Sequence, residues 1–459
     1  MAFLEMIGVA SILPFMAVLT NPSLIDTNLV LNKMFQASSM LGVENNQQFL
    51  FALGVLVFIL LVTSITFKAL TTYAQIRFVQ MLQYNIRKRL MEKYLSQSYS
   101  WFLSRNSADF SKTILSETGI VIGNGVSALI NLVAKGMVAI ALLALLIVAN
   151  PKIALIVGFS LILSYLLIYK FTSNYVKRMG EERFKKELLL FKSISEAFGA
   201  VKELKMGGLE NIYIKRFSNP AKTIAKNLAS SSVVQQFPRF ALEAVAFGGI
   251  MLLILYQMKH TGSFNNALPV ISLYAFAGYR LMPALQEIYG VISKFDFIIP
   301  SINKIYNDFE NLKIFNLNQD QEIISINKTI KLKNIYYNYP NSSREALKNI
   351  SLSIPVNTTV GLIGATGSGK TTTVDIILGL LETHKGTLEI DEKIITKQNS
   401  RAWQRSIGYV PQYIYLSDDT VSANIAFGVE PKDINQEAVE RASKIANLHE
   451  FVMDELPKQ

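Results

Sequence analysis

Over the first three hundred residues, long apolar stretches alternate with longer ones that mix basic and apolar positions. The apolar stretches cover residues 2–19, 49–67, 137–148, 153–169, 240–258 and 267–292. A hydrocarbon core of about 30 Å takes roughly 20 helical residues, so six membrane-spanning helices are predicted. The third stretch reaches that length only if its helix begins near Ile130, with Lys135 inside it. The sixth holds Gly278, Arg280, Pro283 and Glu287, which predicts an amphipathic, kinked helix.

The segments after the second and fourth spans are also helical in pattern. One places Phe78, Met81, Leu82, Ile86, Leu90 and Leu95 at helical intervals; the other does so with Phe184, Leu188, Phe191, Ile194 and Phe198. The membrane helices are therefore expected to run on past the bilayer, each burying its apolar stripe against a neighbour. Residues 98–107 and 205–213 break the pattern and predict turns at the far ends, either plain helix connections or contacts to a following domain. Between the first two spans, residues 22–40 predict either a surface helix or a packed loop.

After Pro300 the pattern changes. Residues 303–330 are polar and asparagine-rich, and from about Lys331 short alternating stretches appear. Residues 330–339, 347–354, 358–364, 385–391 and 406–412 read as strands, and 370–381 as a helix. Residues 451–455, "FVMDE", imitate an apolar strand ending in an acidic pair, but they read as the end of a helix. The expected organisation is an all-α polytopic membrane domain of six long helices over residues 1–305, a linker over 306–328, and an α/β P-loop ATPase domain over 329–459.

Composition supports the membrane reading. Half of the 459 residues are hydrophobic and 17% are charged, against about 25% in an ordinary soluble protein. Cysteine is absent, which excludes disulfides and thiol chemistry. His260, His384 and His449 are far apart and predict no metal cluster. The net charge of +11 is concentrated in the two helical segments after spans two and four, with Lys33, Lys152 and Lys259 in the alternate loops. Basic loops mark the cytoplasmic side. The charge thus points to a multi-pass protein of the cytoplasmic membrane with its second domain in the cytoplasm, and not to a nucleic-acid partner.

The chemistry lies in "GLIGATGSGKTTT", residues 361–373. Gly364, Gly369, Lys370 and Thr371 match the phosphate-loop pattern, between a predicted strand and a predicted helix. Glycines let the backbone approach phosphate oxygens, and the amides of the loop and of the helix start face the anion. The loop residues Ala365, Thr366, Gly367 and Ser368, together with Thr372, complete the candidate ATP site. Lys370 is expected to reach the β- and γ-phosphates, and the Thr371 hydroxyl to hold Mg²⁺.

With "NIYYNYP" before the loop and "SIGYVPQ" and "TVSANIAFG" after it, the second domain resembles the nucleotide-binding domain of ABC transporters. The six spans before it are similar to that family's exporter half-transporters. The resemblance implies that Tyr339 stacks on adenine, although by itself Tyr339 reads as a strand aromatic. It implies that Gln412 contacts Mg²⁺ and the attacking water, and that two half-transporters, identical or related, pair around ATP. The family's signature motif, its Asp–Glu pair and its switch histidine are not found in residues 329–459. That pattern predicts a chain cut short at its C-terminus and also at its N-terminus, with the general base beyond residue 459 and no hydrolysis by the fragment.

"FLEMIGVASILPF", "YSWFLSRNSADFSK" and "FAGYRLMPALQEI" resemble the branch that flips lipid-linked oligosaccharides. A charge within a span usually faces a cavity or a partner. Arg280, with Lys135 or Lys294, is thus a candidate for binding a substrate pyrophosphate; a salt bridge from Arg280 to Glu287 or Glu243 is the competing account. The alternatives are an exporter of lipids, drugs or peptides, a membrane-anchored P-loop kinase or GTPase, and a structural membrane protein.

Overall fold

The computed structural model describes residues 45–149, 151–261, 268–312, 322–340 and 342–456, with 18, 25, 29–39, 42 and 43. The chain divides into two compact units, Met1–Asn318 with Tyr339–Ser343, and Gln319–Asn338 with Arg344–Gln459.

The first unit is helical. A short helix α1 (Leu29–Ser39) occupies the region for which a surface helix or a loop was expected. Its Leu31 joins Val18, Ile25, Val43, Phe49 and Leu53 in a small apolar cluster. Helix α2 (Asn46–Leu95) is 50 residues long, about 75 Å at 1.5 Å per residue, more than twice the hydrocarbon thickness. The Asn45 side chain caps its start by accepting from the Gln48 amide. After the short α3 (Tyr99–Leu103) the chain returns through α4 (Ser107–Ser111), a π-helical turn Lys112–Glu117, α5 (Thr118–Ile120), a second π-helical turn Val121–Val126, and α6 (Ser127–Ala149). Next come α7 (Pro151–Gly199), α8 (Val201–Gly207), α9 (Glu210–Thr261) and α10 (Leu268–Asn311).

Helices α2, α6, α7, α9 and α10 cover the last five predicted apolar stretches. The first, residues 2–19, lies outside the described residues apart from Val18. Among the described residues two stretches are long and apolar enough to cross a bilayer, Asn46–Leu95 and Ser107–Met137. The two predicted turns fall at α3 and at Gly208, whose left-handed φ of +60° ends α8.

The apolar stripes beyond the spans are only partly covered. Leu90 is buried with Tyr94 and Leu312, whereas Phe78, Met81, Leu95 and Phe198 are exposed. Polar side chains do much of the joining. Tyr94 Oη donates to Asp308 Oδ2 at 2.6 Å, and Ser173 Oγ to Asp296 Oδ2 at 2.7 Å. Lys304 pairs with Asp109 at 2.9 Å. Lys112 and Arg183, counted in the sequence as cytoplasmic loop charge, are fully buried. They share Glu117 between them, at 3.1 Å and 2.9 Å.

The second unit holds a four-stranded antiparallel sheet in the order β2-β1-β3-β4, from β1 (Thr329–Asn338), β2 (Glu345–Pro355), β3 (Lys385–Ile390) and β4 (Lys393–Ile395). Leu332 faces Leu352 on one side and Leu388 on the other. The unit also holds α11 (Lys370–Ile377), α12 (Ser400–Gln404), α13 (Val421–Ile425), α14 (Gln436–Ile445) and α15 (His449–Asp454). As expected, "FVMDE" belongs to a helix end.

Three sequence expectations are corrected. Residues 358–364 and 406–412 are not strands. A strand needs a neighbour to satisfy its backbone groups, and neither segment pairs with one among the described residues; Ile363 is 99% and Val410 87% exposed. The predicted helix 370–381 stops at Ile377, because Gly379 turns the chain left-handed at φ +66°.

Candidate phosphate-binding site

The loop before α11 is shaped by its glycines. Gly369 caps the helix at φ +91°, a conformation that disfavours side chains. It also lies against β2: a Cβ there would meet Leu347 Cδ2 at 2.6 Å and the Ala346 carbonyl at 2.9 Å. Gly367 is left-handed at φ +80°. A Cβ on Gly364 would meet Ser368 Oγ at 2.7 Å. The Ser368 amide closes the bend on the Ala365 carbonyl at 3.1 Å.

Lys370 is the first residue of α11, and its chain folds back over the loop. Its Nζ donates to the carbonyls of Gly364 at 2.7 Å and Ala365 at 3.0 Å. Two of the three ammonium donors thus fix the charge beside the exposed bend of residues 364–368. Thr371 is exposed, whereas Thr372 and Thr373 are buried on the core side of the helix. Thr373 Oγ1 bonds back to the Gly369 carbonyl at 3.0 Å. A helix start, an adjacent fixed ammonium and an exposed hydroxyl suit a polyphosphate with a divalent cation.

The structure joins residues 364–372 in one loop and helix start. Tyr339 follows β1, and Gln412 is exposed on the irregular segment after α12. Lys135 lies half-buried in α6, and Lys294 half-buried in α10. The Arg280 side chain lies outside the described residues. Of its two suggested carboxylate partners, Glu243 pairs with Arg239 at 2.8 Å.

Motif reading missed the support behind the loop. Trp403 Nε1 donates to the Ile377 carbonyl at 2.7 Å, and Gln404 Nε2 to those of Leu378 and Gly379 at 3.1 Å each. Nothing in the phosphate-loop pattern signals these partners.

Comparison with known proteins bears on both units. A family model described as ABC transporter transmembrane region matches residues 11–278, and one described as ABC transporter matches 347–458. An uncharacterized ABC transporter ATP-binding protein of Bacillus subtilis is 25% identical over 382 residues, covering 82% of this chain and 65% of that protein. An ATP-dependent lipid A-core flippase of Wigglesworthia glossinidia brevipalpis is 26% identical over 394 residues, covering 80% and 63%. A multidrug resistance-like ATP-binding protein of Buchnera aphidicola subsp. Schizaphis graminum is 27% identical over 271 residues, covering 58% and 45%. The chain therefore spans less than two thirds of the length of these relatives. Its fold is similar to that of a bacterial Atm1-family ABC exporter with ATP bound, with a TM-score of 0.73 at 17% identity over 98% of this chain and 78% of that one.

Proposed function

Since the chain belongs to the ABC transporter family, we propose that residues 364–372 hold ATP and that its turnover drives export of a glycolipid across the cytoplasmic membrane. The observation that carries the reading is the Lys370 ammonium, anchored on the Gly364 and Ala365 carbonyls at the start of a helix.

Each residue has a role set by its chemistry. Lys370 and the amides of Ala365, Thr366, Gly367, Ser368 and Gly369 neutralise and orient the phosphates. The Thr371 hydroxyl and the Gln412 amide oxygen would hold Mg²⁺, which would supply charge neutralisation. Thr372 is buried behind them and supports the helix start. Tyr339 stacks on the adenine. A second half-transporter, identical or related, completes the ATP site and the transport path. The ATPase domain over residues 329–459 faces the cytoplasm, and the permease domain over 1–305 lies in the membrane.

The cargo is a lipid-linked oligosaccharide or related glycolipid, its pyrophosphate held by Arg280 with Lys135 or Lys294. Support comes from a relative named a lipid A-core flippase. Export of drugs is the second reading, favoured by the multidrug resistance-like relative.

Binding of trinitrophenyl-ATP to the purified protein tests the nucleotide site, with Lys370→Ala expected to abolish it and Thr371→Ala to remove its Mg²⁺ dependence. Unchanged binding in Lys370→Ala would overturn the site. Glycolipid flipping by the full-length protein in proteoliposomes tests the cargo: loss in Arg280→Ala supports the pyrophosphate role, and intact flipping rejects it. Stimulation of the full-length protein's ATP turnover by drugs but not by glycolipid selects the second reading.

A further inference from the structure

Helix α11 has only eight residues, about 12 Å of length. Its first turn carries Lys370 and Thr371, so whatever holds its far end also sets the aim of the loop. The last carbonyls of a helix have no partner within it, and how they are satisfied decides how firmly the helix is seated.

Here the chain satisfies some of them locally. The Gly379 amide donates to the Ile376 carbonyl at 2.9 Å, and the Leu380 amide to that of Asp375 at 2.9 Å. The next three carbonyls, of Ile377, Leu378 and Gly379, are taken by the side chains of Trp403 and Gln404. Two adjacent residues of α12 thus cap the end of α11. The fit is close: a Cβ on Gly379 would meet Ser400 Cβ and Trp403 Cδ1, each at 3.6 Å. The Trp403 ring is 3% exposed, so the cap sits in the packed interior. Beyond Gln404 the chain runs without regular structure to Gln412.

We propose that Trp403 and Gln404 are positioning residues for the nucleotide site: they bolt the C-terminal end of the phosphate-loop helix to the segment that carries Gln412. They touch no nucleotide. They fix the tilt of α11, and hence the placement of Lys370, Thr371 and the loop amides, relative to the one segment that delivers Gln412. The inference rests on residues 364–372 being the ATP site, and its test separates the two.

The test measures the affinity of the purified chain for trinitrophenyl-ATP and for trinitrophenyl-adenosine, in the presence of Mg²⁺, beside its thermal unfolding. Trp403→Phe keeps an aromatic ring and removes the N–H, and the packing lost with the smaller ring is read in the thermal unfolding. Gln404→Ala removes the second donor at a half-buried position, where folding is retained. Each is expected to weaken the triphosphate by about tenfold, the effect of roughly 1.4 kcal/mol, and to leave the nucleoside unchanged. Gln404→Arg, which restores N–H donors, is expected to recover the affinity. A cap that serves only stability would lower the unfolding temperature and leave the preference for triphosphate over nucleoside intact, and that result overturns the proposal. Equal weakening of both ligands overturns it too. Lys370→Ala is the control: wild-type triphosphate affinity there defeats the ATP site itself, whereas its loss together with unaltered Trp403→Phe and Gln404→Ala binding defeats only the positioning role.

Discussion

Arg183 Nη2 lies 2.9 Å from Glu117 Oε2, with both side chains buried, so an ion pair joins α7 to the π-helical turn Lys112–Glu117. Positions five apart do not face each other on an α-helix. The π turn brings them together, so that Lys112 Nζ stands 3.1 Å from the other oxygen of Glu117. Arg183 also bonds Glu187 and donates to Ser301 Oγ of α10 at 2.7 Å. Two cations and two carboxylates thus balance in a closed cluster that ties three helical segments together.

Removing one member leaves a buried charge unmatched, which typically costs about 3–5 kcal/mol. Arg183→Ala and Glu117→Ala should each lower the unfolding temperature of the detergent-solubilised chain sharply. The double change Arg183→Met with Glu117→Leu should be milder than either, because Lys112 and Glu187 still balance. A double variant as unstable as the sum of the singles would show that the pair is not coupled.

At Gly180 helix α7 lies directly against the backbone of α10. A Cβ there would stand 2.2 Å from the Phe297 carbonyl oxygen, a backbone atom that cannot swing aside. Gly180→Ala should therefore force the helices apart, at about 1–3 kcal/mol for overpacking, despite the better helix propensity of alanine. Gly199, also in α7, has open space around it, and Gly199→Ala serves as the control that should not destabilise. Thermal unfolding of the two variants side by side checks this.

The two glycines that bracket the phosphate loop should differ in the same assay. At Gly369 the positive φ and the backbone of Ala346 both oppose a side chain. The strain of such a residue is about 1–3 kcal/mol, before any clash. At Gly364 the obstacle is the Ser368 hydroxyl, the end of a side chain that can rotate. Gly369→Ala should lose both stability and nucleotide binding. Gly364→Ala should keep its unfolding temperature and lose binding alone.

Some of this was legible in the residues and some was not, and the dividing line is physical. Apolar runs and 3.6-residue periodicity report a local helix, so α2 and α7 were readable almost to their ends. The phosphate loop was readable because glycine and lysine at fixed spacing are what its backbone geometry demands. Pairing is not local. The apolar run Val360, Leu362 and Ile363 has strand character, but a strand exists only beside another, and this run lies unpaired and exposed. Arg183 looked like loop charge because Glu117 and Ser301 come from segments 66 and 118 positions away, and Lys112 because only the π turn brings Glu117, five positions on, to face it. The cap by Trp403 and Gln404 was hidden for the same reason.

A last consequence concerns acid. Asp391 follows β3 in a left-handed bend at φ +46° and gathers three backbone amides at the entry to β1. Its carboxylate accepts from Thr329 at 2.7 Å, Asn327 at 2.6 Å and Lys328 at 2.8 Å. These bonds, led by that from the Thr329 amide, hold its pKa below the ordinary carboxylate value. In the unfolded chain the group returns to about 3.9. A carboxyl depressed on folding stabilises the fold fully above that unfolded value, and the contribution fades as pH falls through the folded one. Asp391→Asn tolerates the same left-handed backbone but carries no charge and presents one acceptor oxygen. It should lower the unfolding temperature at neutral pH and flatten the decline of stability between about pH 5 and the acid limit. The wild-type Asp391 carboxyl should titrate below the ordinary carboxylate value when followed by NMR in acid. A midpoint at or above the ordinary value would show that the three amides do not hold the charged form.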